Sequence, residues 1–149
     1  MANLNDVAAL AATNGHLAVV STLRADGTIQ ASLVNAGISA HPVTGQQVAA
    51  FVGIGGGAKL ANLRRRPSVA LTFHQGWQWI TVEGNAELVG PDDAGLGVQP
   101  DLLAALLRAI FTDAGGTHDN WPEYDDTMVR ERRAAVLITP TRVYTNPAL

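Results

Sequence analysis

The chain has 149 residues, of which 47% are hydrophobic and only 15% are charged, so we expect a single domain over residues 1–149 with one buried core. The net charge of −3 argues against a nucleic-acid-binding protein, because phosphate backbones require an excess of Lys and Arg. The absence of cysteine excludes disulfide frameworks, thiolate zinc sites and thiol catalysis.

The N-terminal half of the chain is predicted to form one short helix and three strands. The first twelve residues lack the basic region of a signal peptide, and no apolar run is long enough to span a membrane, so we expect a cytoplasmic protein. The predicted elements are a helix over Asn3–Thr13 and strands over Leu17–Arg24, Thr28–Ile38 and Gln47–Gly53. Asp26-Gly27 predicts a hairpin between the first two strands, and His41–Gly45 is predicted to be a loop.

The remainder of the chain alternates predicted helices with strands. A short helix over Ala58–Arg66 is stopped by Pro67, and two strands, Ser68–His74 and Trp77–Val89, follow. After a loop over Gly90–Gln99, the apolar stripe of Pro100–Ala114 predicts a helix that ends at Gly115-Gly116. We expect Thr117–Asp126 to be irregular, Thr127–Arg133 to be a short helix and Ala134–Tyr144 to be the last strand.

The fold class follows from how the strands are connected. Strands dominate, and most neighbours are joined by short turns, which favours an antiparallel arrangement over a parallel α/β sheet. We therefore predict a mainly β (α+β) fold, an antiparallel Greek-key-type barrel of six to seven strands with a few flanking helices.

A glycine-rich segment precedes the short helix and is the main candidate for a binding site. Gly53-Ile54-Gly55-Gly56-Gly57-Ala58 matches a dinucleotide-binding fingerprint, but the hairpin that follows is incompatible with the βαβ unit that fingerprint requires. Consecutive glycines still let backbone N–H groups approach a phosphate, and a helix start adds partial positive charge. Lys59, the only lysine in the chain, lies in the first turn. The segment thus predicts an anion site; the alternative is a surface loop followed by a solvated basic helix.

Helical spacing divides the polar and basic residues of this segment into two groups. Lys59, Asn62 and Arg66 fall on one side of the helix at spacings of three and four. Arg64 and Arg65 point elsewhere, toward solvent, a longer anionic tail or a neighbouring subunit.

Other candidate residues give weaker indications. Trp77 and Trp79 are predicted to share one face of a strand, where they either pack at a dimer interface or form an aromatic wall. The four histidines, among them His74, have no metal-ligand spacing, so no metal site is expected. Asp119–Asp126 lacks an EF-hand pattern and is predicted to be a solvated loop. No catalytic side chain is identified.

The central stretch resembles a known superfamily. From Gly53 to Val89 the sequence combines a strand, a small-residue loop, K-x-x-N-L-x-x-x-P, the strand SVALTF and a partner strand ending in V-x-G-x-A-x-L-V. This pattern resembles the pyridoxamine-phosphate-oxidase-like, FMN-binding split β-barrel superfamily, and the opening hairpin and the closing ITPTRVY are similar as well. Within it, K-x-x-N-L-R-R is most similar to the F-420 (deazaflavin)-dependent reductases typical of actinobacteria.

The resemblance implies a set of cofactor contacts. Lys59 would bind the coenzyme phosphate, Asn62 would brace the loop, and Arg64 and Arg65 would contact the phosphate or the acidic tail. The flavin-like ring would lie along Ser32, Val34 and Asn35, and Gln78 would reach it from the partner subunit of a homodimer. The family loop usually carries Ser or Thr side chains, whereas this chain has Gly55, Gly56 and Gly57, which leaves only backbone amides for the phosphate.

The implied function is an oxidoreductase that transfers hydride from reduced F-420 to an activated C=C, C=N or quinone-like small-molecule acceptor. FMN is the alternative cofactor, and the longer acidic tail of F-420 favours the deazaflavin because of Arg64 and Arg65. A non-enzymatic flavin- or haem-binding carrier or sensor is the alternative from another class. Oxidation of vitamin B6 is disfavoured because the C-terminus lacks the substrate-binding Arg and His of that enzyme.

Overall fold

The fold consists of six strands and four helices within residues 2–147, the part of the chain that the computed structural model describes. The strands are β1 (Leu17–Leu23), β2 (Ile29–Ala40), β3 (Gln47–Gly53), β4 (Ser68–Gln75), β5 (Gln78–Val89) and β6 (Ala134–Thr145). The helices are α1 (Leu4–Thr13), α2 (Ala58–Arg65), α3 (Pro100–Asp113) and α4 (Trp121–Arg130). Among residues 2–147, none of the helices has the length and apolarity needed to cross a bilayer.

The strands close into one antiparallel barrel in the order β1-β2-β3-β6-β5-β4. Three hairpins connect strands that are consecutive in the chain. The last strand, β6, follows α3 and α4 and closes the barrel between β3 and β5. The arrangement confirms the prediction of a mainly β split barrel, with six strands. The register of the β5–β6 ladder shifts between Glu83 and Gly84.

Two apolar clusters form the core, one inside the barrel and one outside it. Alternate residues of β3 serve the two clusters, with Phe51 pointing into the barrel and Val48 pointing outward. The helices α1 and α2 add side chains to the inner cluster, whereas α3 and α4 cover the outer surface of β3 and β6. Because both faces are covered there, β3 and the first five residues of β6 are buried on both sides and lack the alternation of apolar and polar residues.

The strand β2 changes partner along its length. From Ile29 to Asn35 it pairs with β1, and from Ala36 to Ala40 it pairs with β3. The β2–β3 ladder ends at the pair Ala36–Phe51, while β3 continues alongside β6 as far as Gly53. An opening therefore separates β2 from the end of β3.

The fourth helix corrects the prediction for the segment before β6. Thr117–Asp126 was predicted to be irregular and Thr127–Arg133 helical, but α4 begins at Trp121 and ends at Arg130. The N-cap residue Asn120 accepts a hydrogen bond from the backbone N–H of Glu123 at 3.1 Å. This Asn-x-x-Glu spacing, with a proline in the first turn, is a helix-start signal that the sequence analysis missed.

The turn between β4 and β5 corrects a second prediction. Trp77 does not share a strand face with Trp79, because it lies in the turn that precedes β5, with 84% of its surface exposed. Trp79 is within β5 and packs edge-on against Tyr144, with 6.0 Å between the ring centroids. The strand begins one residue later than predicted, since Gln75 and Gln78 form the last pair of the hairpin.

Replacing Gly84 by alanine should destabilise the barrel. A Cβ at this position would lie 2.1 Å from the carbonyl oxygen of Thr139 on the neighbouring strand, at the register shift. We expect Gly84→Ala to lower the free energy of unfolding by about 1–3 kcal/mol, because the backbone must move. Gly95→Ala is the matched control, since nothing lies within 4 Å of its added Cβ. Urea denaturation checks both, and equal stabilities would contradict the close approach.

Candidate functional site

Two adjoining cavities lie at the opening between β2 and β3. The smaller, here called the small pocket, has a volume of 130 Å³ and is lined by Gln30, Ser32, Gly53, Ile54, Gly57, Ala58, Lys59 and Leu60. The larger, here called the cleft, has a volume of 340 Å³ and is lined by Leu33, Val34, Asn35, Val52, Gly53, Ile54, Lys59, Ile110, Phe111, Ala114, Tyr124, Met128 and Arg133. The two share Gly53, Ile54 and Lys59, so they form two parts of one site.

The three glycines before α2 have different structural roles. Gly55 packs against the turn before β6, where a Cβ would lie 2.5 Å from the carbonyl oxygen of Arg132, and its N–H donates to the carbonyl of Glu131 at 3.0 Å. Gly56 has a φ of +78°, which favours glycine. Gly57 is the N-cap of α2 and supplies no side-chain hydrogen bond to the first turn. The first N–H groups of α2 are therefore uncapped at the small pocket, as an anion site requires.

Ser32 supplies a polar group that faces this uncapped helix end. Its hydroxyl oxygen is buried and has no hydrogen-bond partner among the described residues, although Ser32 lines the small pocket. A buried hydroxyl without a partner costs free energy, so such groups are rare in folded proteins. Ser32 lines the small pocket together with the first residues of α2, where its hydroxyl could donate to a phosphate oxygen. The predicted contact of Ser32 with a ring system stays a prediction.

Lys59 and Arg133 bring two positive charges to the cleft. Burial lowers the pKa of Lys59, and the nearby charge of Arg133 lowers it further. A bound anion would stabilise the charged form of Lys59. Arg133 was not predicted as a site residue, because it lies far from Lys59 in the chain. The Arg133 side chain also donates from Nε to the Glu131 carboxylate at 2.9 Å.

Asn62 and Arg66 attach α2 to the barrel. The Asn62 side-chain amide donates to the hydroxyl of Thr22 at 3.0 Å, and Arg66 Nε donates to the carbonyl of Leu23 at 2.9 Å. Both partners belong to β1. Asn62 is thus directed into the protein rather than into the cleft, which agrees with a bracing role.

Arg64 and Arg65 lie outside both cavities. The Arg64 guanidinium binds Asp93 through two hydrogen bonds of 2.7 and 2.8 Å, and this contact raises its pKa. Arg65 is exposed and forms no ion pair within residues 2–147. That either arginine contacts an anionic tail stays a prediction.

The remaining predicted contacts are divided between the cleft and the far end of the barrel. Val34 and Asn35 line the cleft, and the Asn35 side chain donates to the carbonyl of Gly15 at 3.0 Å. Gln78 lies elsewhere and donates from Nε2 to Thr145 and Asn146 of its own chain, at 3.0 and 2.9 Å. Its predicted contact across a dimer is not tested by these hydrogen bonds.

An aromatic wall from α3 and α4 was not anticipated from the sequence. Phe111 stacks on Tyr124 with 5.0 Å between ring centroids, and both line the cleft. The Tyr124 hydroxyl donates to the carbonyl of Leu107 at 3.2 Å, and burial raises its pKa to about 12. Once α4 is recognised, the spacing of Trp121, Tyr124 and Met128 would have predicted this face.

One family model matches most of the chain, and several solved structures share its fold. A family model described as pyridoxamine 5′-phosphate oxidase matches residues 7–146. Among solved structures, the conserved hypothetical protein Rv2991 from Mycobacterium tuberculosis superposes with a TM-score of 0.68 at 18% identity, covering 97% of this chain and 84% of that one. A protein described as an F-420 reductase has a TM-score of 0.61 at 18% identity, covering 87% and 90% of the two chains. A pyridoxamine 5′-phosphate oxidase-related, FMN-binding protein from Nostoc punctiforme gives 0.65 at 13% identity, covering 97% and 84%.

Two serines of β2 provide a test of the small pocket. Ser32→Ala removes a buried hydroxyl without a partner, so we expect the free energy of unfolding to stay unchanged or to rise. Ser39→Ala is the matched control on the same strand; its hydroxyl donates to Asp113 at 2.7 Å, so its loss should cost about 1 kcal/mol. Chemical denaturation of both variants checks this. An equal loss in Ser32→Ala would show that its hydroxyl is already satisfied.

Proposed function

Because the chain belongs to the pyridoxamine 5′-phosphate oxidase family, we propose that it is an oxidoreductase that binds coenzyme F-420 and reduces a small-molecule acceptor. The acceptor would carry an activated C=C, C=N or quinone-like group. The bound coenzyme would supply the hydride, and the chain would bind the coenzyme, orient it and exclude water.

The observation that carries this proposal is the small pocket at the start of α2. The unpartnered hydroxyl of Ser32, the uncapped helix end after Gly57 and the half-buried ammonium of Lys59 converge there. A phosphate group would accept hydrogen bonds from all three and would compensate the charge that burial disfavours. These residues therefore fit the phosphate that F-420 and FMN have in common.

The adjoining cleft has the composition expected for a ring system. Phe111, Tyr124 and Met128 give it an apolar wall, and the segment of β2 from Ser32 to Asn35 forms the opposite side. Among residues 2–147, β1 is the one strand that pairs with that segment. A flat ring placed between them would be shielded from water on one face and would have backbone groups along its edge.

The similar structures support either coenzyme, and the charge distribution favours F-420 over FMN. The F-420 reductase with the similar fold supports this choice, and the FMN-binding protein from Nostoc punctiforme supports the alternative. The charge distribution then favours the longer, acidic coenzyme, because Arg65, the last residue of α2, is exposed and forms no ion pair within residues 2–147. FMN would use only the phosphate and the ring positions.

Binding and turnover together test the proposal. We expect the purified protein to bind F-420 with micromolar or tighter affinity and FMN more weakly, as measured by fluorescence titration. We expect Lys59→Ala to weaken F-420 binding about ten- to a hundredfold, through loss of an ammonium–phosphate contact of about 1.5–3 kcal/mol. Arg130→Ala is the control, because it removes the same charge from an exposed position outside both cavities.

The outcomes separate the competing functions. Oxidation of reduced F-420 by a quinone or enone in the presence of the protein would support the reductase. Tight F-420 binding without oxidation across such acceptors would indicate a carrier, and a preference for FMN would replace the coenzyme. Binding of neither coenzyme would overturn the proposal.

We also propose that the protein acts as a homodimer through the outer face of β1 and β2. Neighbouring residues of the two strands expose large apolar side chains there, with Val19 39% and Leu33 62% accessible at one cross-strand pair. A contiguous exposed apolar face of this kind is typical of an interface. Leu33 also lines the cleft, so a partner on this face would border the coenzyme site.

A single charge on this face should dissociate the dimer. We expect the unmodified protein to elute at twice the mass of the chain in size-exclusion chromatography with light scattering, and Val19→Asp to elute as a monomer. Val43→Asp is the matched control, because Val43 is exposed in the loop after β2. A monomeric unmodified protein, or dissociation of both variants, would contradict the assignment of the interface.

A further inference from the structure

A third cavity lies beside the cleft and shares only Met128 and Arg133 with its lining. It has a volume of 380 Å³ and is bounded by the segment 90–99 together with α3 and α4. This side pocket lies within the range of roughly 300–1,000 Å³ that is typical of small-molecule sites. Most of its surface is apolar and comes from Val98, Leu103, Ala104, Leu107, Met128 and Val129.

The wall formed by the segment 90–99 is held in place by ion pairs at its beginning. Asp92 binds Arg132, and the next residue, Asp93, binds Arg64 of α2. Each arginine uses two nitrogen atoms, which fixes the direction of the contact as well as its distance. The segment is therefore anchored both to α2 and to the turn before β6, and its residues Leu96 and Val98 pack against the outer apolar cluster.

The charged residues around the side pocket are already paired. Arg132 binds Asp92, Arg133 binds Glu131, and Asp125 binds Arg108. A charged ligand would have to compete with these partners, whereas an uncharged apolar ligand would not. The exposure of Val129, which is 76% accessible and lines the pocket, leaves apolar surface that such a ligand would cover.

The side pocket and the cleft share part of their lining. Met128 and Arg133 line both cavities, so a molecule in the side pocket would touch two side chains that also form the wall of the cleft. If a molecule in one cavity displaced either side chain, the shape of the other cavity would change.

We propose that the side pocket is a binding site for an uncharged, largely apolar small molecule, distinct from the coenzyme cleft. The apolar lining provides the affinity, and the paired charges at the rim disfavour ionised ligands. The site does not depend on the identity of the coenzyme, because it is complete in the chain without one.

The probe for this site is phenylnaphthylamine, an uncharged fluorophore whose emission rises in apolar surroundings. We expect saturable binding of one molecule per chain in the absence of any coenzyme. Ala104→Phe places a ring inside the pocket and should weaken binding at least tenfold, and Ala104→Leu should give a smaller loss. Ala105→Phe is the matched control on the same helix, because Ala105 is exposed and does not line the pocket.

The controls distinguish this site from other apolar surfaces. Thermal unfolding of each variant checks that it is folded. The comparison of Ala104→Leu with Ala104→Phe tests whether filling the side pocket weakens binding, even if the larger side chain destabilises the protein. The proposal would be overturned by binding that does not saturate, by equal weakening in Ala104→Phe and Ala105→Phe, or by a preference for the sulfonated analogue anilinonaphthalene sulfonate.

Discussion

The candidate site depends on the change of partner within β2. The backbone groups on each side of a strand need a partner, which is a neighbouring strand, a side chain, water or a ligand. The strand β2 exchanges β1 for β3 at Ala36 instead of pairing with both along its length. The barrel therefore closes around β3 and β6 but leaves an opening between β2 and the end of β3. The glycine-rich segment and the start of α2 fill part of this opening, and the cavities occupy the rest.

Polar groups at this opening are arranged at a cost to the free protein. The hydroxyl of Ser32 is buried without a partner, and Lys59 has a lowered pKa because burial and Arg133 disfavour its charge. Neither feature stabilises the chain by itself, and both would become favourable next to an anion. These two unfavourable features, which one bound anion would relieve together, are stronger evidence for an anion site than the number of basic residues. Exposed arginines are common on protein surfaces and cost little free energy.

The sequence was sufficient for elements whose signals are local. The Asp26-Gly27 turn and the alternating apolar residues of β4 fix hairpins, so strand boundaries were predicted to within two residues. The contacts that could not be predicted are tertiary contacts. Arg133 lies near Lys59 because β6 returns beside β3, and Arg64 binds Asp93 because of the path of the loop after β5. The helix α4 had a local signal at Asn120, which the acidic residues after it obscured.

The fixed position of α2 explains how a short helix can serve as an anion site. Asn62 and Arg66 hold one side of it to β1, and Arg64 holds another side to Asp93. An isolated helix of eight residues would be marginal in water, so these contacts, rather than helix propensity, keep its first turn in place. The ordering of the helix then occurs during folding and not during binding, which lowers the entropy cost of capturing a phosphate. On this argument Arg64 contributes by positioning the helix, whether or not it also meets the tail of the coenzyme.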